Sequence, residues 1–314
     1  MEKIPNQREI FLEKDIAEPE EQVRNREQKF IDDFVEMWGR QNLPEWESFF
    51  DKIDFNLLRD LFSELEKKCG ITADRSNFIW PEKIISSEAT YSNYDGKYNL
   101  IKLRAPGSIP TSPESEKKYY YERLAETYGT EEMNMLHTIV HEEAHAISKN
   151  ICVGLEPSGH HKAHAKEIQS GYHNNDFGLF NEGVTEKIAR EILEKYLNSS
   201  GWSNEEKELY RRNRKINPEK FTYSVEVTLV DAIIKKLAIK NKLPKDQIWN
   251  ALKRGFIEGE RIMENKEIVS LFKETFGRDF LTELKRLTVF ARMFTGEDYE
   301  FARFNGKYKL GLKL

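Results

Sequence analysis

Residues 137–150 read HTIVHEEAHAISKN and set three histidines, His137, His141 and His145, at intervals of four. On an α-helix that interval keeps side chains on one stripe. The chain has only seven histidines, and the other four, His160, His161, His164 and His173, all fall between here and residue 173. So many imidazoles in so short a stretch call for a chemical reason.

His141-Glu142-Glu143-Ala144-His145 has the form H-E-x-x-H. Two imidazoles four residues apart on a helix can reach one metal ion, and the glutamate after the first can lie beside a water bound to that ion. Zinc in such a place acidifies the water, and Glu142 is the candidate general base. Leu136, Ile139, Val140, Ile147 and Ile151 flank the motif, which predicts a buried helix and thus a rigid, low-dielectric seat. His137 lies one turn earlier, where a third ligand at this spacing would drift off the metal. It reads either as a support or substrate contact in the cleft, or as a polar residue at the edge of the stripe.

A catalytic zinc site takes three protein ligands and a water. The extended pattern H-E-x-x-H-x-x-G-x-x-H is excluded, because positions 148 and 151 are Ser148 and Ile151. Two sources of a third ligand remain. One is Ser158-Gly159-His160-His161-Lys162-Ala163-His164; the other is Asn181-Glu182-Gly183-Val184-Thr185-Glu186, which opens the amphipathic run NEGVTEKIAREILEKYL.

HEEAH followed by NEGVTE resembles the gluzincin metallopeptidases, including uncharacterised bacterial members with an N-E-G-x-T-E signature. The likeness runs loosely over residues 90–290, and its specific motifs fill only some twenty positions. It implies Glu182 as third zinc ligand and Glu186, one turn on, as the carboxylate that orients a ligand imidazole. Metal-bound histidines commonly pass their second N–H to such a group. Without a metal, Glu182 and Glu186 would read as an acidic pair on a solvated helix face. Gly183 argues against that, since glycine inside a helix costs about 1 kcal/mol relative to alanine; bulk there is expected to collide with the metal-binding helix. Gly159-His160 also resembles the Spartan-type proteases, which would make His160 the third ligand; otherwise the run is a solvated loop lining the cleft. Glu143 departs from the gluzincin pattern, where a small or apolar residue often stands.

The rest of the 314-residue chain frames this motif. FIDDFVEMW (30–38) and LLRDLFSELEKKCG (57–70) carry apolar residues at helical spacing. After Trp80-Pro81, IISSEATYSN (84–93) and KYNLIKLR (97–104) are β-like runs joined at Tyr94-Asp95-Gly96, a hairpin signal. KYNLIKLR is either the edge strand on which an extended substrate would pair or an ordinary two-sided strand. APGSIPTSPES (105–115) reads as loop, and helix follows nearly to the end. Helix starts are expected at Thr130, at Ser203, and at Asn217-Pro218 ahead of a run to Lys240. A hydrolase also needs a donor for its developing oxyanion. Tyr223 is favoured, with His173 and Tyr172 as alternatives; each would otherwise be a packing aromatic.

The expected architecture is α+β and zincin-like: mostly helical, with a small antiparallel sheet and an active-site helix between two lobes. Residues 1–80 form an N-terminal helical region, 81–200 the catalytic core and 201–314 a C-terminal helical lobe. The expected activity is a zinc metallopeptidase acting on a peptide or protein substrate. The alternatives are a zincin-fold binding protein without turnover and a helical interaction protein without metal. Apolar residues make up 39% and charged residues 33%, so a core is feasible beneath a heavily charged surface. A net charge of −5 gives no case for nucleic acid or an anionic membrane. No apolar run reaches membrane-spanning length and no signal peptide is visible. Cys69 and Cys152 are the only cysteines, Cys152 being expected as a buried small residue without a metal role. A cytoplasmic protein is the expectation.

Overall fold

The structure is a computed structural model that describes residues 44–71, 78–87, 93–95, 100–104, 124–148, 177–218, 223–258, 265–287 and 299–312, with residues 29, 122 and 221. Lys29 is helical, and the first continuous helices among the described residues are α1 (Pro44–Asp51) and α2 (Phe55–Lys68). Asp54 caps α2 by accepting from the Leu57 amide at 2.9 Å. Its buried face, Phe55, Leu58, Leu61, Phe62 and Leu65, has the three-and-four spacing seen in the sequence. The 30–38 segment lies outside the described residues.

A short 3₁₀ turn at Pro81–Lys83 leads into three strands, β1 (Ile84–Ser87), β2 (Asn93–Asp95) and β3 (Leu100–Arg104), in the order β1-β3-β2. The sheet is not the antiparallel one expected: β1 runs parallel to β3, with Ile84 opposite Ile101 and Ser87 opposite Arg104. The hairpin itself is antiparallel, but Tyr94 and Asp95 belong to β2, opposite Ile101 and Leu100, and residues 96–99 make the connection. The first β-like run therefore splits into two strands, one on each side of β3. KYNLIKLR is then a central strand, and β2 is an edge. Burial explains the arrangement, since Leu100, Ile101 and Leu103 are all enclosed, as befits a strand flanked on both sides.

The motif helix α3 (Glu131–Ile147) starts where the sequence predicts, with Thr130 Oγ1 accepting from the Met133 amide at 3.1 Å. Glu131 and Glu132 sit in its first turn, favourably for the helix dipole. It packs against β2 and β3 on one side and against α4 (Gly178–Ser199) on the other. Helix α4 is the hub, touching also α2 and the later helices α6 (Ser224–Asn241) and α7 (Lys245–Ile257). It is buried on most sides, with Val184, Ile188, Ile192 and Tyr196 among its enclosed residues. Between α4 and α6 lies α5 (Asn204–Ile216), opened by a reciprocal capping box between Ser203 and Glu206. The long helix does not start at Asn217: Pro218 has a 3₁₀ conformation, and residues 219, 220 and 222 lie outside the described residues. The chain turns at Phe221 and Tyr223, and α6 starts at Ser224. Three shorter helices, α8 (Lys266–Phe276), α9 (Phe280–Arg286) and α10 (Tyr299–Tyr308), complete the chain around stacked aromatic rings such as Phe276 on Phe280. Among the described residues, no helix is long and apolar enough to cross a membrane.

Candidate metal centre

Helices α3 and α4 run against each other, and their contact is where the sequence motifs meet. His141 and His145 are both buried, and each Nε2 lies 3.3 Å from the same atom, Oε2 of Glu182. A tetrahedral ion with ligands at about 2.0–2.1 Å separates those ligands by roughly 3.3–3.4 Å. The two imidazole–carboxylate distances match that spacing, all three donor atoms lie within 4.8 Å of one another, and the trio could hold a metal ion.

Hydrogen bonds on the far side of each ring fix its orientation. Glu186 Oε2 is 3.0 Å from His141 Nδ1, so that nitrogen donates and Nε2 is turned toward Glu182. For His145 the corresponding partner is Thr185, whose Oγ1 is 3.4 Å from Nδ1 while its own hydroxyl donates to the Asn181 carbonyl at 2.9 Å. Each Nε2 therefore faces a carboxylate oxygen, with a place between them for a proton or a metal ion. Burial alone would lower the His141 pKa, but hydrogen bonds to Glu182 and Glu186 outweigh it and lift the value to about 10. Burial would raise Glu182, yet His145 and His141 hold it below the ordinary carboxylate range.

Glu142 lies near enough on α3 for the charges of His141, His145 and Glu182 to act on it. Burial raises its pKa despite His141 and His145, and its Oε2 accepts from the Tyr94 amide at 2.7 Å. The edge strand β2 thus touches the residue that follows the first imidazole. Glu143, the next residue, points elsewhere. It is fully enclosed, with both carboxyl oxygens 3.1 Å from the Ile79 amide, and burial pushes its pKa well up. That contact gives Glu143 a structural role: it fastens the segment entering the sheet to α3.

Tyr223 caps α6 in the left-handed region, at φ 57°, an unusual conformation for a bulky side chain. The backbone turn lays its ring flat on the His141 imidazole, at 4.8 Å between centroids and 9° between planes. The carboxylate of Glu182, then burial, then Glu142 raise its pKa well above the usual value, so the hydroxyl keeps its proton and can donate. His137 is buried, with Nε2 3.0 Å from Glu186 Oε1. His160, Tyr172 and His173, together with Cys152, lie outside the described residues.

Gly183 has its collision partner on the other side from the one expected. A Cβ there would stand 2.4 Å from the backbone oxygen of Glu226 on α6, not against α3. The glycine lets α4 and α6 approach closely, which brings Tyr223 over His141. Four participants escaped the sequence reading: Thr185, Arg190, Tyr210 and the Tyr94 amide. Thr185 and Arg190 had a visible signal in their helical spacing from Glu182 and Glu186, whereas Tyr210 and Tyr94 arrive only through tertiary packing. Compared with protein-family models, with curated proteins and with solved structures, the chain matches none.

Proposed function

We propose that this chain is a zinc-dependent metallohydrolase of zincin-like arrangement, acting as a peptidase on a peptide or protein substrate. The observation that carries the reading is the convergence of His141 Nε2 and His145 Nε2 on Glu182 Oε2, at 3.3 Å each, with Glu142 near enough for their charges to act on it. Two imidazoles and one carboxylate, with no thiol among them, are a donor set for a catalytic zinc site. Bound there, zinc supplies Lewis acidity and lowers the pKa of a coordinated water to about 7. Glu142 takes the proton of the attacking water; its raised pKa makes it a stronger base than an exposed glutamate. The Tyr94 amide holds that carboxylate in place at 2.7 Å. Tyr223, kept protonated, donates to the oxyanion that develops on the carbonyl. An extended substrate adding to the sheet would add along β2, the strand beside α3, and not along the enclosed β3.

Glu142→Gln tests the assignment. The variant should keep zinc and lose about 100- to 10,000-fold in turnover, the worth of a positioned acid–base group. Glu143→Gln should lose far less, because that side chain faces Ile79 and not the metal trio. Cleavage of a proteome-derived peptide library by the zinc-loaded chain is the readout. Equal losses in both variants would move the base away from Glu142. A zinc-loaded wild type that cleaves nothing would leave a zincin-fold binding protein in its place.

A further inference from the structure

Behind the metal trio lies a second polar cluster, and it converges on Glu186. This carboxylate is 1% exposed and meets three side chains. Arg190 Nε donates to Oε1 at 2.5 Å, His137 Nε2 reaches Oε1 and Oε2 at 3.0 and 3.1 Å, and His141 Nδ1 reaches Oε2 at 3.0 Å. An ionised carboxylate only accepts, so all three must donate. On its other side His137 presents Nδ1 to the Tyr210 hydroxyl, 3.3 Å away. The contacts run from Tyr210 through His137 to Glu186, with Arg190 and His141 donating to the same carboxylate.

The surroundings leave these groups little room to move. Tyr128, Tyr210 and Phe221 box the His137 ring, with Tyr128 edge-on at 5.1 Å, and the Arg190 guanidinium lies over Phe221 at 5.7 Å. Arg190 shares α4 with Glu186 one turn away, so the brace is built into the helix that also carries Glu182. A carboxylate with two donors could still rotate about its last bond. The third fixes its plane, and with it the orientation of the His141 ring.

We propose that Arg190, assisted by His137 and Tyr210, is a positioning residue for the metal centre: it holds the Glu186 carboxylate in the one plane from which His141 Nδ1–H is captured and Nε2 is aimed at the metal. The proposal rests on the reading of His141, His145 and Glu182 as metal ligands. Removing the guanidinium while leaving the ligands intact should loosen the His141 ring and weaken metal binding about 10- to 100-fold, the usual cost of losing an outer partner of a ligand.

The test uses the full chain with zinc alone, measured by competition with a chromophoric chelator, and with cobalt(II) for its visible absorption bands. Arg190→Met should bind zinc about 10- to 100-fold more weakly and shift the cobalt bands, and Arg190→Lys, which keeps a cation within reach of Glu186, should recover most of the loss. Tyr210→Phe removes one hydroxyl and should cost about 2- to 10-fold, the worth of a neutral hydrogen bond; it serves as the arm to read if Arg190→Met does not fold. Wild-type affinity and an unshifted cobalt spectrum in Arg190→Met, or in Tyr210→Phe where that is the arm read, would overturn the positioning role. So would a weakened Arg190→Met that Arg190→Lys fails to rescue. A wild type that binds neither ion would overturn the metal reading itself and this proposal with it, an outcome visible before any variant is compared.

Discussion

A carboxylate as enclosed as Glu186 would ordinarily give up its charge, since burial favours the neutral acid. Here His137, His141 and Arg190 outweigh burial and hold its pKa well below the usual range. The contrast with Glu143 is instructive: equally enclosed and only one helix away, it has a single amide for a partner and is pushed the other way. On the proposed reading, environment and not residue type divides the glutamates of this site into ligand, base, orienting group and structural tether. The division can be tested by metal titration of three single variants. Glu182→Ala opens the ligand set and should abolish tight zinc binding. Glu186→Ala should cost about 10- to 100-fold, and His160→Ala should leave affinity nearly unchanged. Loss of metal in His160→Ala with retention in Glu182→Ala would replace the gluzincin assignment with the Spartan-type one.

At the scale of elements, the close crossing of α4 and α6 governs where Tyr223 sits. Alanine for an interior helical glycine normally gains about 1 kcal/mol from propensity. At Gly183 the added Cβ would lie 2.4 Å from the Glu226 oxygen and 2.7 Å from its carbonyl carbon, backbone atoms with little freedom to yield. Overpacking of this kind costs about 1–3 kcal/mol, so Gly183→Ala should lower the thermal midpoint and, by pushing α6 away, reduce turnover through Tyr223. A gain in stability would show that α6 can shift freely. The same elements mark what the sequence could disclose. HEEAH and NEGVTE disclosed the converging trio and the neighbouring Glu186 because helical spacing is local, and Thr130 and Ser203 announced their helices through capping chemistry. The sheet order was not legible, because IISSEATYSN contains nothing that says its halves will straddle β3. Nor was the start of α6: Asn217-Pro218 offered a conventional opening, while the actual cap is a left-handed tyrosine.

Over the whole molecule, a metal at the trio would join two helices from separate stretches of chain, and binding only to the folded form stabilises that form. Zinc at 100 times its dissociation constant contributes about 2.7 kcal/mol, enough to raise the melting temperature by several degrees in a chain of this size. Wild type should therefore melt higher with zinc than with chelator, and Glu182→Ala should show no difference. An unchanged midpoint in the wild type would argue against a metal held by these three residues.

Helix α4 has no side-chain cap at its start. Instead the amides of Phe177 and Leu179 donate to the carbonyls of Lys285 and Leu287, at 3.0 and 3.3 Å. These acceptors lie more than a hundred residues downstream. The helix bearing Glu182 is therefore moored at its first turn by a segment synthesised long after it, and the histidines of α3 leave the ribosome well before the stretch of chain that holds their partner helix in place.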